Sequence, residues 1–225
     1  MGDVEGDGHV VPDEMGQELN SFFEVNFAGA AIYGFMVLFC IIGAFWIMAR
    51  GRIAVDARKF TYSVTLFVLL GATGEAFVNS TWSLVFGWPL WEYRLYPAHG
   101  GDVSLFFPMI WGIFGTYSYL RGQLFSDIQV HRKPFGLVML GAEAILLELA
   151  VNIPYRAIFG DYIFFYTPAN LGPFSHYSCL QVIPFYAAVA IATQKLTEVQ
   201  EAAQYKHLRA TLLLYIIAIL SFGYL

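Results

Sequence analysis

Six runs of mostly apolar residues, near 26–49, 60–81, 103–121, 135–154, 175–194 and 208–224, are separated by segments rich in charge, glycine or proline. A run of about 20 residues at 1.5 Å per residue crosses about 30 Å of hydrocarbon as a helix. The pattern predicts an all-α integral membrane protein with about six transmembrane helices. Composition agrees: 58% of the residues are hydrophobic, 18% aromatic and 13% charged, and a soluble domain with that surface would not stay dispersed.

Charge orients the predicted bundle. The connections after the first, third and fifth segments hold Arg50, Arg52, Arg58, Lys59, Arg121, Arg132, Lys133, Lys195, Lys206 and Arg209, whereas the other side has only Arg94 and Arg156. By the positive-inside rule those connections face the cytoplasm, and both termini are expected on the non-cytoplasmic side. Residues 1–24 contain Asp3, Glu5, Asp7, Asp13, Glu14, Glu18 and Glu24 without a Lys or Arg. They read as an acidic, solvated N-terminal tail ahead of a single transmembrane helical domain over 25–225. The tail lacks the basic start of a secretory signal, so the first apolar segment is expected to be retained. Cys40 and Cys179 share no metal or redox spacing and read as packing residues.

The outer connections, 82–102 and 155–174, are crowded with aromatics and prolines. They are expected to fold back on the bundle as short interfacial or re-entrant pieces, with some aromatics forming a headgroup-level belt. Residues 75–87, EAFVNSTWSLVFG, match 148–160, ELAVNIPYRAIFG, at Glu, Val, Asn, Phe and Gly, with Trp82 meeting Tyr155. After a two-residue shift, PAHGGDVS at 97–104 matches PANLGPFS at 168–175. The reading is an internal parallel repeat relating helices 2–3 to helices 4–5 about an axis near the membrane normal.

The repeat places Glu75 and Glu148 at similar depth, with Asn79 and Asn152 one turn later on the same faces. An ionised carboxylate facing lipid costs several kcal/mol, so each Glu must point inward, protonated or paired. Glu143 stands nearby on the fourth helix. One isolated polar residue reads as helix-to-helix glue. A duplicated pair among aromatics reads as a site.

The chemistry open to such a site is narrow. His9, His99, His131, His176 and His207 form no cluster, so no metal site is expected. There is no phosphate-cradling glycine loop, no Asp-rich magnesium site, and no Lys deep in the last helices for a Schiff base. Carboxylic acids and π-faces remain. They suit protonation of an alkene by a buried carboxylic acid and stabilisation of the resulting carbocation by aromatic faces. Such an enzyme needs no cofactor and takes its hydrophobic isoprenoid substrate from the bilayer.

Residues 148–184 carry Glu148, Phe159-Gly160-x-Tyr162, Leu171-Gly172-Pro173 and Val182-x-Pro184. They resemble the integral-membrane carotenoid hydratases of the bisanhydrobacterioruberin hydratase type, in which Glu, Phe-Gly-x-Tyr and Leu-Gly-Pro follow in that order. Membrane lycopene cyclases and fungal meroterpenoid cyclases are looser analogues. The resemblance implies an enzyme that protonates an isoprenoid or carotenoid alkene, followed by hydration or cyclisation.

The expected catalytic residues are Glu75 and Glu148, as acid and base in either order, oriented by Asn79 and Asn152. Trp82, Trp88, Trp91 and Tyr93 from the first copy, and Tyr155, Phe159 and Tyr162 from the second, are expected to line the cavity. Asp102, His99 and His176 are secondary candidates near helix ends. The rival readings are a small proton-coupled transporter or lipid-binding membrane protein using the paired Glu residues, and a structural subunit. The cytoplasmic halves of helices 2 and 4, FTYSVTLFVLL and PFGLVMLG, offer a transporter little polar pathway.

Overall fold

The computed structural model describes residues 13–51, 53–124, 134–167, 174 and 176–224. They form helices α1 (Asp13–Met48), α2 (Ala57–Phe86), α3 (Phe107–Leu124), α4 (Pro134–Phe159), α5 (Ile183–Ala202) and α6 (Leu208–Tyr224). Four short strands lie in the outer connections: β1 (Trp91–Tyr93), β2 (Pro97–Ala98), β3 (Val103–Ser104) and β4 (Phe164–Tyr166). The chain is mostly helical, as its apolar runs predict.

Phe27–Met48, Ala57–Phe86 and Val138–Phe159 are long and apolar enough to cross a membrane. Their outward faces carry large apolar side chains, among them Phe39 at 71% exposure, Phe77 at 72% and Leu84 at 85%. Side chains so apolar and so open to their surroundings mark these faces as membrane-associated. The apolar stretch of α6, Leu208–Ser221, is shorter. In α5 the first half is apolar, but Gln194, Lys195, Glu198 and Glu201 make its far end polar.

Helix α1 begins at Asp13, within the segment read as a tail. Residues 1–12 lie outside the described ones, as do Arg52, Arg132 and Lys133, the Leu171-Gly172-Pro173 motif and most of PANLGPFS.

Local signals account for the ends of α2. Asp56 caps its start, its carboxylate accepting the N–H groups of Arg58 at 2.9 Å and Lys59 at 3.1 Å. Gly87 closes it at φ 83°, a left-handed conformation that costs glycine little. Helix α2 packs on α3, α4 on α5, and α2 also on α5; α1 lies against α3 and α6 against α2. The corresponding contact of α3 with α4 is not among these close packings.

The outer connections do fold back, and they do so by pairing. Strands β1 and β4 form an antiparallel ribbon with Trp91 opposite Tyr166, Glu92 opposite Phe165 and Tyr93 opposite Phe164. The two-residue period turns Trp91, Tyr93, Phe164 and Tyr166 inward, all buried, and leaves Glu92 and Phe165 on the outer face. The described chain thus has a small β element that helical periodicity did not predict. A second ribbon, β2 with β3, closes the first outer connection.

Candidate active site

The outer ends of α2 and α4 are built alike. Gly87 at φ 83° donates its N–H to Ser83 O, and Gly160 at φ 79° donates to Arg156 O, both at 2.9 Å. Past these turns the backbone enters the ribbon with N–H and C=O groups that need partners away from water. Asn79 supplies them: Oδ1 accepts Leu90 N–H at 2.8 Å and Trp91 N–H at 3.2 Å, while Nδ2 donates to Trp91 O at 3.0 Å. Asn152 does the same, accepting Ile163 N–H at 2.9 Å and donating to Phe164 O at 2.7 Å. For both asparagines the partners lie 11 and 12 residues ahead.

Both asparagines are fully buried. Expected to orient the glutamates, they instead clasp the ribbon, because a carboxamide offers the donor and acceptor that a turning backbone lacks. The second N–H of Asn79 goes to Asp102 Oδ1 at 2.6 Å.

One turn before each asparagine stands a buried glutamate, Glu75 at 5% exposure and Glu148 at 1%. A ribbon tyrosine 18 residues ahead donates to each: Tyr93 to Glu75, and Tyr166 to Glu148 at 2.5 Å. Burial first, and the adjoining carboxyl second, hold both phenols well above their usual range, so both serve as neutral O–H donors. The two carboxyls then diverge. Glu148 also accepts from Tyr186 of α5 at 2.6 Å and from Ser178. On Glu75, Oε2 is buried and no donor among the described residues meets it in full hydrogen-bond geometry; the indole N–H of Trp111 is close enough to interact with this carboxyl but falls outside that geometry. Trp111 reaches this position because Gly71, one turn before Glu75, has no side chain: a Cβ there would lie 2.1 Å from the indole ring.

Both glutamates line one cavity. The ribbon roofs it with Trp91, Tyr93, Phe164 and Tyr166, and α3 and α5 wall it with Trp111, Phe114, Phe185 and Tyr186. The cavity is tight, with room for about one water molecule. Aromatic packing makes it so: Phe114 and Tyr186 stack at 5.3 Å and 7°, and Trp91 stacks on Phe185 at 6.4 Å and 22°.

Of the residues singled out from sequence, the cavity gathers Glu75, Glu148, Trp91 and Tyr93. The others lie elsewhere. Trp82 packs on Phe86 at 4.3 Å, and Trp88 is exposed beside the same ring. Tyr155 and Phe159 pack against Tyr33 of α1 at 5.3 and 6.1 Å, fastening α4 to α1. Tyr162 is held by Arg156 on the outer surface. Asp102 pins Asn79 and Ser80, and His176 stacks on Phe165 at 4.1 Å and bonds to Tyr166 O. These are ribbon and helix-end supports. Their aromatic character follows from where they lie, at the outer ends of the helices. His99 opens a short 3-10 turn after β2.

Trp111, Tyr166, Ser178, Phe185 and Tyr186 were not singled out. One was readable: continuing the match of 75–87 with 148–160 by six residues without a gap sets Tyr93 against Tyr166. The rest come from α3, α5 and the loop before α5, outside the matched sequence segments.

A second polar group lies toward the Arg121 end. The Arg121 guanidinium grips Glu143 with both arms, Nη2 to Oε1 at 2.9 Å, and Tyr117 donates to the same carboxylate at 3.2 Å. Among the described residues no group of three or more His, Cys, Asp or Glu side chains is placed to hold a metal ion, and Cys40 and Cys179 are both free thiols.

No protein-family model matches the chain, and no curated protein or solved structure matches it.

Proposed function

We propose that the chain is a cofactor-independent membrane enzyme that protonates an isoprenoid or carotenoid alkene at the Glu75–Glu148 cavity, with cyclisation or hydration following. The observation that carries this reading is two buried carboxyls on one cavity walled by aromatic faces, one of them with an oxygen that lacks a well-formed hydrogen bond. Glu75 is the acid. Its Oε2 is the position from which an O–H can reach a substrate carbon. The O–H bond breaks, a C–H bond forms, and the charge passes to a carbocation that Trp91, Trp111 and Phe185 face. Glu148 is the base. Three hydroxyl donors suit its ionised form, and the oxygen site they leave open takes the proton released from the adjacent carbon or from an added water. Return of that proton to Glu75 completes the cycle.

The same reading takes all six helices as membrane spans, with both termini on the non-cytoplasmic side and the Arg121 end at the cytoplasm. It takes the two halves as a duplicated unit. Supporting this are the matched offsets of Asn and Tyr and the ribbon register, which exchanges first and third residues about the aligned pair Glu92 and Phe165.

The test is extraction of lipids from cells expressing the protein beside a panel of isoprenoid precursors, with mass spectrometry separating isomerisation from gain of water. Conversion by the wild type, strongly reduced in Glu75→Gln and less so in Glu148→Gln at equal expression, is the expected result; full activity in both variants overturns it. A proton-coupled carrier is the second reading. It is favoured by the Arg121–Glu143–Tyr117 group, which puts polar side chains in the half where α2 and α4 alone offered few. Uptake into proteoliposomes without product formation is its signature.

A further inference from the structure

The two halves differ in how their helices close. Where α2 meets α5 the helices pack closely, but α3 and α4, the corresponding pair, do not. A crevice lies between them, lined by Phe114 and Ser118 of α3, Leu140, Ala144 and Leu147 of α4, and backed by α2 and α5. Its walls are mostly apolar, and its polar groups are Tyr117, Ser118 and, seven residues beyond Phe114 on α3, Arg121, with Glu143 of α4 bound to Arg121 and Tyr117. Its inner end is Tyr186, which with Phe114 also walls the catalytic cavity. One stacked pair of rings therefore stands between the crevice and Glu148, which Tyr186 touches at 2.6 Å.

We propose that the α3–α4 crevice is the lateral entrance and binding groove through which an isoprenoid chain reaches the glutamates. The identity of the chain rests on the enzymatic reading above. The groove suits an amphiphile: the apolar walls take the prenyl chain, and the Arg121–Glu143–Tyr117 group takes a neutral polar end such as a hydroxyl, since guanidinium and carboxylate already offset each other. From Arg121 to Phe114 is seven residues of helix, a run of about 10 Å, so a chain anchored at the polar end reaches the cavity with its next double bonds. Because the crevice has room for about two waters and the closed cavity for about one, admission requires α3 and α4 to part as well as the Tyr186 and Phe114 rings to swing aside. That motion also removes one hydroxyl from Glu148, so substrate arrival and the release of a lone pair on the base are the same event.

The full chain in phosphatidylcholine nanodiscs, photolysed with a diazirine-bearing geranylgeraniol and analysed by peptide mass spectrometry, tests this directly. Label on α3 between Phe114 and Arg121 and on α4 between Leu140 and Leu147, lost on adding excess unlabelled geranylgeraniol, is the expected result. Glu75→Gln retains this label, since binding precedes chemistry, whereas Ala144→Phe, which fills the groove, loses it. Label confined to lipid-facing positions such as Phe39 of α1 and Leu213 of α6 overturns the proposal, whether or not the protein converts substrate. Label in the groove without conversion of any precursor keeps the groove and removes the enzymatic reading.

Discussion

Glu75 and Glu148 hold equivalent places in two similar halves, yet their surroundings differ in hydrogen-bond capacity. Helix α5 and its preceding loop bring Tyr186 and Ser178, whose hydroxyls donate to Glu148. At Glu75, α3 brings Trp111, whose indole is a donor only and stops short of hydrogen-bond geometry. One carboxyl therefore accepts three hydroxyl hydrogen bonds, which leaves it one acceptor site, and the other accepts one. A buried polar atom without a well-formed hydrogen bond costs about 1–3 kcal/mol, so Oε2 of Glu75 is a place where stability is given up.

The comparison is sharpest at the glutamates themselves. Glu75→Gln is expected to lower conversion by about 10²–10⁴-fold, the range for loss of a general acid, and Glu148→Gln by less, with a changed product ratio as water or solvent base takes the final proton. Kinetics on both variants check it; a larger loss in Glu148→Gln would reverse the assigned roles. Next come the clasps. Asn79→Ala and Asn152→Ala each strand buried backbone groups at about 1–3 kcal/mol apiece, and Asn79→Ala is the more damaging because Asp102 also loses one of its two side-chain donors, keeping Ser80. Thermal unfolding in detergent gives the order.

Tyr93→Phe removes the sole hydroxyl donating to Glu75 among the described residues, whereas Tyr166→Phe leaves Glu148 with Tyr186 and Ser178. A loss of about tenfold is expected for the first, corresponding to about 1.4 kcal/mol, and a smaller one for the second. Equal losses would mean that the two carboxyls do not differ in the way described. The smallest difference between the halves belongs to Gly87→Ala and Gly160→Ala. An added Cβ meets nothing within 4 Å at either site, so only the left-handed backbone is strained, by about 1–2 kcal/mol in each. Here the halves should agree, and unequal melting shifts would show that the turns are not equivalent.

Much of the helical layout and four of the twelve residues that line the cavity could be read from residue order alone. Glu75, Glu148 and the asparagines stood out because charge and amide are rare in apolar runs, and because they recur together. Tyr93 was found as an aromatic near the site, but its partner Tyr166 was missed when the match was ended at Gly160. The ribbon was hidden because Trp91–Tyr93 and Phe164–Tyr166 are too short for a period of two to register. Tyr186, Phe185 and Trp111 sit in apolar helices where an aromatic is unremarkable, and only the close approach at Gly71 and the meeting of α2 with α5 bring them to the carboxyls. Tyr155, Phe159 and Tyr162 erred in the opposite direction. Proximity in sequence to Glu148 pointed to the cavity, but helical rotation and the turn at Gly160 carry them to α1 and the outer surface.

The asparagine clasps also govern which changes of length the chain can absorb. Between Asn79 and Leu90, and again between Asn152 and Ile163, the spacing is fixed at 11 residues by side-chain bonds at one end and ribbon pairing at the other. A single residue inserted in either stretch slips the strand by one position and turns its two inward aromatics outward. Elsewhere, as in the exposed turn between α5 and α6, no such register constrains the count. Scanning one-residue insertions along the chain should therefore outline the site as two intolerant windows, without a substrate and without reference to catalysis.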